Sequence, residues 1–218
     1  MNDLRYTLLA DGNSDQALLP ILTWVLRQGG VGCAIQPNWA NLNSLRRRPH
    51  HLRERIAGAL DLYPCDLLCL HRDAEREPPE RRRAEIAQAL DDVSRERGSM
   101  APAIAVIPVR MTEAWLLFNE AALRSAAGNP RGRVRLEIPP HHEIERLANP
   151  KARLADLIRT ASEHTGRRLQ NLEIRAERVA DLIDDFSPLR ALSAFQTLEA
   201  DLHRVITEHG WDRDLGER

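Results

Sequence analysis

The chain has 218 residues, 43% hydrophobic and 29% charged, which is the balance of a globular protein with enough apolar material to bury a core. Its formal net charge is −1, so there is no global electrostatic pull toward nucleic acid or an anionic surface. No run of about 18 apolar residues offers a membrane span, and no signal-peptide pattern opens the chain, so a cytoplasmic location and no membrane partner are expected.

Strands and helices alternate through the first half. Residues 5–10 (RYTLLA) read as a strand, and 14–28 as a helix that Ser14 can cap and Pro20 can kink or delay. A short strand at 33–37 follows, then a helix at 49–63. The continuous apolar run at 65–73 (CDLLCLHRD) is the clearest strand of the chain. A long helix at 78–98, opened by prolines and closed by Gly98, leads to a fourth strand at 101–109.

Continuous apolar strands separated by helices predict a four-stranded parallel α/β sheet, βαβαβαβ, with helices on both faces. Right-handed crossovers then bring the C-terminal ends of the strands to one edge, where open α/β sheets bind their ligands. After residue 112 the pattern is helical only, at 112–128, 149–166, 174–186 and 188–210, with a Gly-, Pro- and Arg-rich loop at 129–143. The expected organisation is an α/β core over 1–127 and a helical C-terminal extension over 128–218 packed on it.

The three cysteines, Cys33, Cys65 and Cys69, fall in stretches that read as strand and lack zinc-ligand spacing, which predicts free buried thiols. The histidine pairs His50-His51 and His141-His142 lie in polar, Pro-flanked stretches and read as surface residues, with His142 kept as a possible site neighbour. Arginine clusters at 46–48, 81–83, 131–135 and 166–168. Each cluster reads either as a solvated face or as a local phosphate-binding surface. There is no Gly-x-x-x-x-Gly-Lys-Ser/Thr loop, no Gly-x-Gly-x-x-Gly turn and no Gly-x-Ser-x-Gly elbow, which argues against nucleotide binding and serine nucleophiles.

Carboxylates carry the chemical signal. Asp11 and Asp15 follow the first strand, Asp73, Glu75 and Glu77 the third, and Glu113 the fourth. Acids gathered at one sheet edge repel one another unless a cation binds, and hard oxygen ligands suit Mg²⁺ or Mn²⁺. Taken singly, each acid also reads as a helix cap or a solvated turn; Asp15 and Glu77 fit that well.

The stretches LLADGNSD and LLCLHRDAE resemble the two motifs of a Toprim domain, the fold shared by topoisomerases, primases and the overcoming-lysogenization-defect nucleases. Asp11 stands where that family uses Glu, ahead of Gly12 and Asp15, and Glu75 stands where it uses the second Asp after Asp73. With the Glu-Ala-Trp-Leu-Leu segment at 113–117, Asn-Pro-Lys at 149–151 and the 189–195 stretch, nearly the whole chain is similar to small stand-alone Toprim-like proteins encoded beside ABC- or AAA-type ATPases. The resemblance implies Asp11, Asp73, Glu75 and Glu113 as metal ligands with Asp15 as an outer ligand. It also implies Asp11, Asp73, Glu113 and Lys151 as catalytic groups, Lys151 steadying a phosphate, while Trp115 reads as core.

Two functions follow as expectations. The first is a Mg²⁺- or Mn²⁺-dependent nuclease acting with a partner ATPase, plausible in defence against phage, with Arg131, Arg133 and Arg135 on the DNA or RNA backbone. The second is an inactive subunit that docks on the ATPase through its helical extension and regulates it.

Overall fold

The computed structural model describes residues 3–42, 45 and 49–212; the basic run Arg46, Arg47 and Arg48 lies outside the described residues. Strands β1 (Asp3–Leu9), β2 (Ala34–Trp39), β3 (Leu67–His71) and β4 (Ala103–Val106) form one sheet in the order β2-β1-β3-β4, and every pairing is parallel. β3 lies inside the sheet and all its residues are buried, as its unbroken apolar run predicts. β2 is an edge strand that contains Pro37, a residue that cannot donate to a ladder and is tolerated at an edge.

The two-residue period of the strands sends their side chains to opposite faces. Leu68 and Leu70 of β3 pack with Ile56 of α2 (Leu52–Leu62) and with Ile86 and Val93 of α3 (Pro79–Arg97). Tyr6, Leu8 and Cys69 face the other way. There they join Leu22 of α1 (Leu18–Gln28) and Leu202 of α9 (Ser193–His209). The same buried cluster takes Leu123 of α4 (Glu120–Ala126), Leu157 of α6 (Pro150–Ser162) and Val179 of α8 (Ala176–Ala180). Two short helices, α5 (His141–Ile144) and α7 (Gly166–Gln170), complete the set, and no strand follows β4 among the described residues.

Several boundaries differ from the sequence reading. A short 3-10 turn, Asn13–Ala17, precedes α1, so Pro20 becomes the third residue of the helix, where an N–H has no intrahelical acceptor and no kink is required. The stretch 112–128 breaks into a 3-10 turn, Thr112–Leu116, and α4, restarted by Asn119, whose side chain accepts the Ala122 N–H at 2.9 Å. The helix expected at 174–186 is only one turn, α8. Pro188 sits in a 3-10 turn, Ser187–Ala191, that delays α9 to Ser193.

All three cysteines are unbridged; Cys69 is buried, while Cys33 and Cys65 are half-buried and lie just ahead of β2 and β3. Among the described residues no helix is long and apolar enough to cross a membrane.

Candidate functional site at the C-terminal edge of the sheet

Because the strands are parallel, their C-terminal ends share one edge, and the carboxylates singled out above follow those ends. Past β3 the backbone stays beside the segment after β4. Arg72, Ala74 and Glu75 donate their N–H groups to the carbonyls of Val106, Pro108 and Arg110. This run ends where Glu75 (φ 55) and Arg110 (φ 67) both adopt the left-handed conformation, which costs roughly 1–2 kcal/mol per non-glycine residue.

His71 organises what lies behind that edge. Its ring is buried, and Nδ1 donates to the Val106 carbonyl at 3.0 Å, which ties it to β4. Nε2 lies 3.2 Å from Thr112 Oγ1, 3.3 Å from Asp73 Oδ1 and 3.6 Å from Asp15 Oδ1. Burial alone would drive the imidazole toward neutrality, but Asp15 and Asp73 outweigh it and push its pKa up to about 10. The same contact works in reverse on Asp15. Burial raises its carboxyl, yet His71, the Gly12 N–H and the Lys151 charge together hold it below the ordinary range.

Local structure fixes each carboxylate. Asp15 Oδ2 accepts the Gly12 N–H at 2.9 Å, so the acid closes the turn that leaves β1. It is therefore both a cap and a member of the cluster. Asp73 Oδ1 accepts the Thr112 N–H at 3.0 Å, which couples the end of β3 to the turn carrying Glu113. That turn is pinned from below, since the buried Trp115 meets Phe195 of α9 edge-on at 5.5 Å. Trp115 is core, as its apolar neighbours predict.

Glu113 is 6% exposed and stands 4.0 Å from Lys151 Nζ. Its carboxyl is raised first by burial and further by the nearby charges of Asp73 and Asp15, against a lowering by its own backbone N–H and by Lys151. Lys151 owes its place to the Asn-Pro-Lys triplet. Asn149 caps α6 by accepting the Ala152 N–H at 2.9 Å, Pro150 opens the helix, and Lys151 follows within the first turn. A cation there opposes the helix dipole, so propensity alone does not account for it. Glu113 and Lys151 help to line an open cleft of about 940 Å³, whose other walls include Ser14, Gln16, Arg175 and Arg178.

Two of the expected ligands stand apart from this cluster. Asp11 is paired with Arg55, which also donates to the Ala10 carbonyl at 2.6 Å, and with Arg72 Nε at 3.3 Å. The Glu75 side chain is 65% exposed and meets Arg82 at 3.6 Å. Asp15 and Asp73 thus meet at His71, with Glu113 near enough to feel their charges, while Asp11 and Glu75 are held by arginines. Among the described residues no three Asp, Glu, His or Cys side chains already form a coordination shell. All five carboxylates have the oxygen donors that a hard divalent cation takes, and each has a cationic partner: His71 for Asp15 and Asp73, Lys151 for Glu113, and arginines for Asp11 and Glu75.

The arginine-rich loop lies elsewhere. The Arg133 and Val134 N–H groups donate to the carboxylate of Glu163, at the C-terminal end of α6, at 2.6 and 3.1 Å. Twelve residues of helical rise separate Glu163 from Lys151, about 18 Å. Arg131, Arg133 and Arg135 are exposed there. Arg81, Arg82 and Arg83 are taken up by Glu77, Glu85 and Asp201, and His142 pairs with Glu143.

Sequence reasoning missed His71 and Thr112. The signal for His71 was present, because it occupies the inward-facing position of β3 shared with Leu67 and Cys69. No protein-family model, curated protein or solved structure matches the chain.

Proposed function

We propose that the protein is a Mg²⁺- or Mn²⁺-dependent phosphodiesterase of nucleic acid, built on a Toprim-like sheet. The observation that carries this reading is the meeting of Asp15 and Asp73 at His71, with Glu113 near enough to feel both charges, beside Lys151 and an open cleft. Asp15, Asp73 and Glu113 would hold the ion, which supplies Lewis-acid polarisation of a phosphodiester and a water of lowered pKa. Lys151 meets the phosphate and the charge that develops on it. The cleft, with Arg175 and Arg178 on its wall, takes the strand, and Arg131, Arg133 and Arg135 give a second backbone contact about 18 Å along α6. Action beside an ABC- or AAA-type ATPase in phage defence belongs to the same reading.

The test is cleavage of plasmid, single-stranded DNA and transfer RNA with Mg²⁺ or Mn²⁺, beside Asp73→Ala, Glu113→Ala and Asp11→Ala. Cutting is expected to need metal, to vanish in the first two variants and to survive in the third. Cutting that persists in Asp73→Ala and Glu113→Ala overturns the assignment.

One observation favours a second reading, in which the chain is an inactive subunit that regulates an ATPase. Asp11 and Glu75, the positions where the acids of the resembled motifs are exchanged, are neutralised by Arg55, Arg72 and Arg82 of the chain itself. No cutting with or without the ATPase, together with a changed ATPase rate, would establish it.

A further inference from the structure

His71 is a strand residue with its side chain 1% exposed, and three other segments and the end of its own strand meet on its ring. β4 fixes one side through the Val106 carbonyl, which can only accept, so Nδ1 carries a proton. The other nitrogen faces Thr112, Asp73 and Asp15 at 3.2, 3.3 and 3.6 Å. Asp15 arrives from the turn after β1, Asp73 from the end of β3, and Thr112 from the turn that carries Glu113. Without the ring, nothing else among the described contacts bridges Asp15 to Asp73. Each carboxylate has one further anchor, the Gly12 N–H for Asp15 and the Thr112 N–H for Asp73, and these anchors belong to different segments.

We propose that His71 is the positioning residue of the acidic site, its buried imidazole setting the spacing at which Asp15 and Asp73 receive a divalent cation. This rests on the metal-dependent reading above. An imidazole whose far nitrogen is held by a backbone carbonyl presents its near nitrogen at a fixed point, and the carboxylates are gathered around that point rather than by one another. Outer partners of this kind commonly govern metal affinity by 10–100-fold.

Two substitutions separate positioning from simple structural support. His71→Asn keeps a donor near the Val106 carbonyl and loses the group facing the carboxylates; His71→Gln does the reverse. Mn²⁺ affinity of the full chain, read from the electron paramagnetic resonance of free Mn²⁺, is expected to fall about 10–100-fold in His71→Asn and to stay near the wild-type value in His71→Gln. Wild-type affinity in His71→Asn, or equal losses in both variants, overturns the proposal.

Metal-free crystal structures supply the second readout. Asp15 and Asp73 are expected to separate in His71→Asn and to hold their places in His71→Gln. If the wild-type chain binds no Mn²⁺, the metal-dependent reading fails by itself, and unmoved carboxylates in His71→Asn overturn the positioning role independently. Should His71→Asn not fold, His71→Gln decides. Carboxylate positions and Mn²⁺ affinity both kept support the role, and loss of either overturns it.

Discussion

Replacing Asp15 by Asn tests the electrostatics of the site without touching its shape. Asn still accepts the Gly12 N–H that Asp15 Oδ2 now accepts at 2.9 Å, so the turn keeps its cap and only the charge is lost. At 3.6 Å and an effective dielectric of about 20, the attraction between Asp15 and a charged His71 is about 4–5 kcal/mol. Asp73 remains 3.3 Å from the ring and retains part of that hold. The expected loss of stability near pH 6 is therefore about 2–3 kcal/mol, at the low end of what breaking a buried pair costs.

The pH dependence follows from the directions of the two shifts. Asp15 is lowered in the fold, so its contribution is present above its ordinary value of 3.8 and is lost as pH falls through the lower folded value. His71 is raised from 6.5 to about 10, so its contribution is complete below 6.5 and is lost as pH rises through about 10. The gap between wild type and Asp15→Asn should thus be widest from about pH 4 to 6.5 and should narrow toward pH 10. Urea denaturation with a chelator present, across that range, measures it. A gap that stays constant to pH 10, or one below about 0.5 kcal/mol at pH 6, refutes the charge pair as its source.

Other substitutions probe the parts that hold the site. Phe195→Ala empties the space against Trp115 and Trp24 and should cost about 3–5 kcal/mol in denaturant melts; a loss under about 2 kcal/mol would show that the ring does not brace the Glu113 turn. Asn149→Ala removes the cap of α6 and should cost about 1 kcal/mol by the same melts, unless the capping bond to Ala152 contributes nothing. Lys151→Met should lower kcat by about 10²–10³ and leave Mn²⁺ binding nearly unchanged; loss of Mn²⁺ binding instead would contradict its phosphate-facing role. Glu163→Gln should speed hydrogen exchange at the Arg133 and Val134 amides, and unchanged exchange would mean that the loop holds itself.

The sheet was legible because its inner strands are apolar runs, while β2, an edge strand with no buried residue, carries that signal weakly. β3 is a buried run bounded by Asp66 and Arg72, β4 is a buried run between prolines, and the helices between the strands have clear ends such as Gly98, the left-handed residue that closes α3. Helical segments after β4 were harder to read, because their breaks depend on tertiary contacts. Asn119 is a local cap signal for α4, but nothing local announces that the turn Thr112–Leu116 stops at Leu116, since Ala and Leu favour helix on both sides. Among the acids, chain order gave the correct edge but not the partners. The arginines that hold Asp11 come from α2 and from the residue after β3, separations of 44 and 61 positions that no local pattern reports. Likewise Lys151 reaches Glu113 only because α6 packs beside the Thr112–Leu116 turn.

What separates the acids of this edge is how far each one breaks a local rule. A buried histidine ends an apolar strand, a glutamate sits 6% exposed in a turn of buried residues, and a lysine occupies the first turn of a helix against its dipole. Each choice is unfavourable taken alone; His71 contacts Asp15 and Asp73, Lys151 contacts Glu113, and the charges of the two groups act on one another. Places where several local rules fail together are where functional or strained residues are expected. Asp11 breaks no rule. It is half exposed and satisfied by two arginines, the state expected of an acid at a protein surface. Glu75 differs only in its backbone, and its side chain is more exposed still. Of the carboxylates at this edge, Glu113 is the one whose charge burial opposes, while His71 and the Gly12 N–H favour the charge of Asp15.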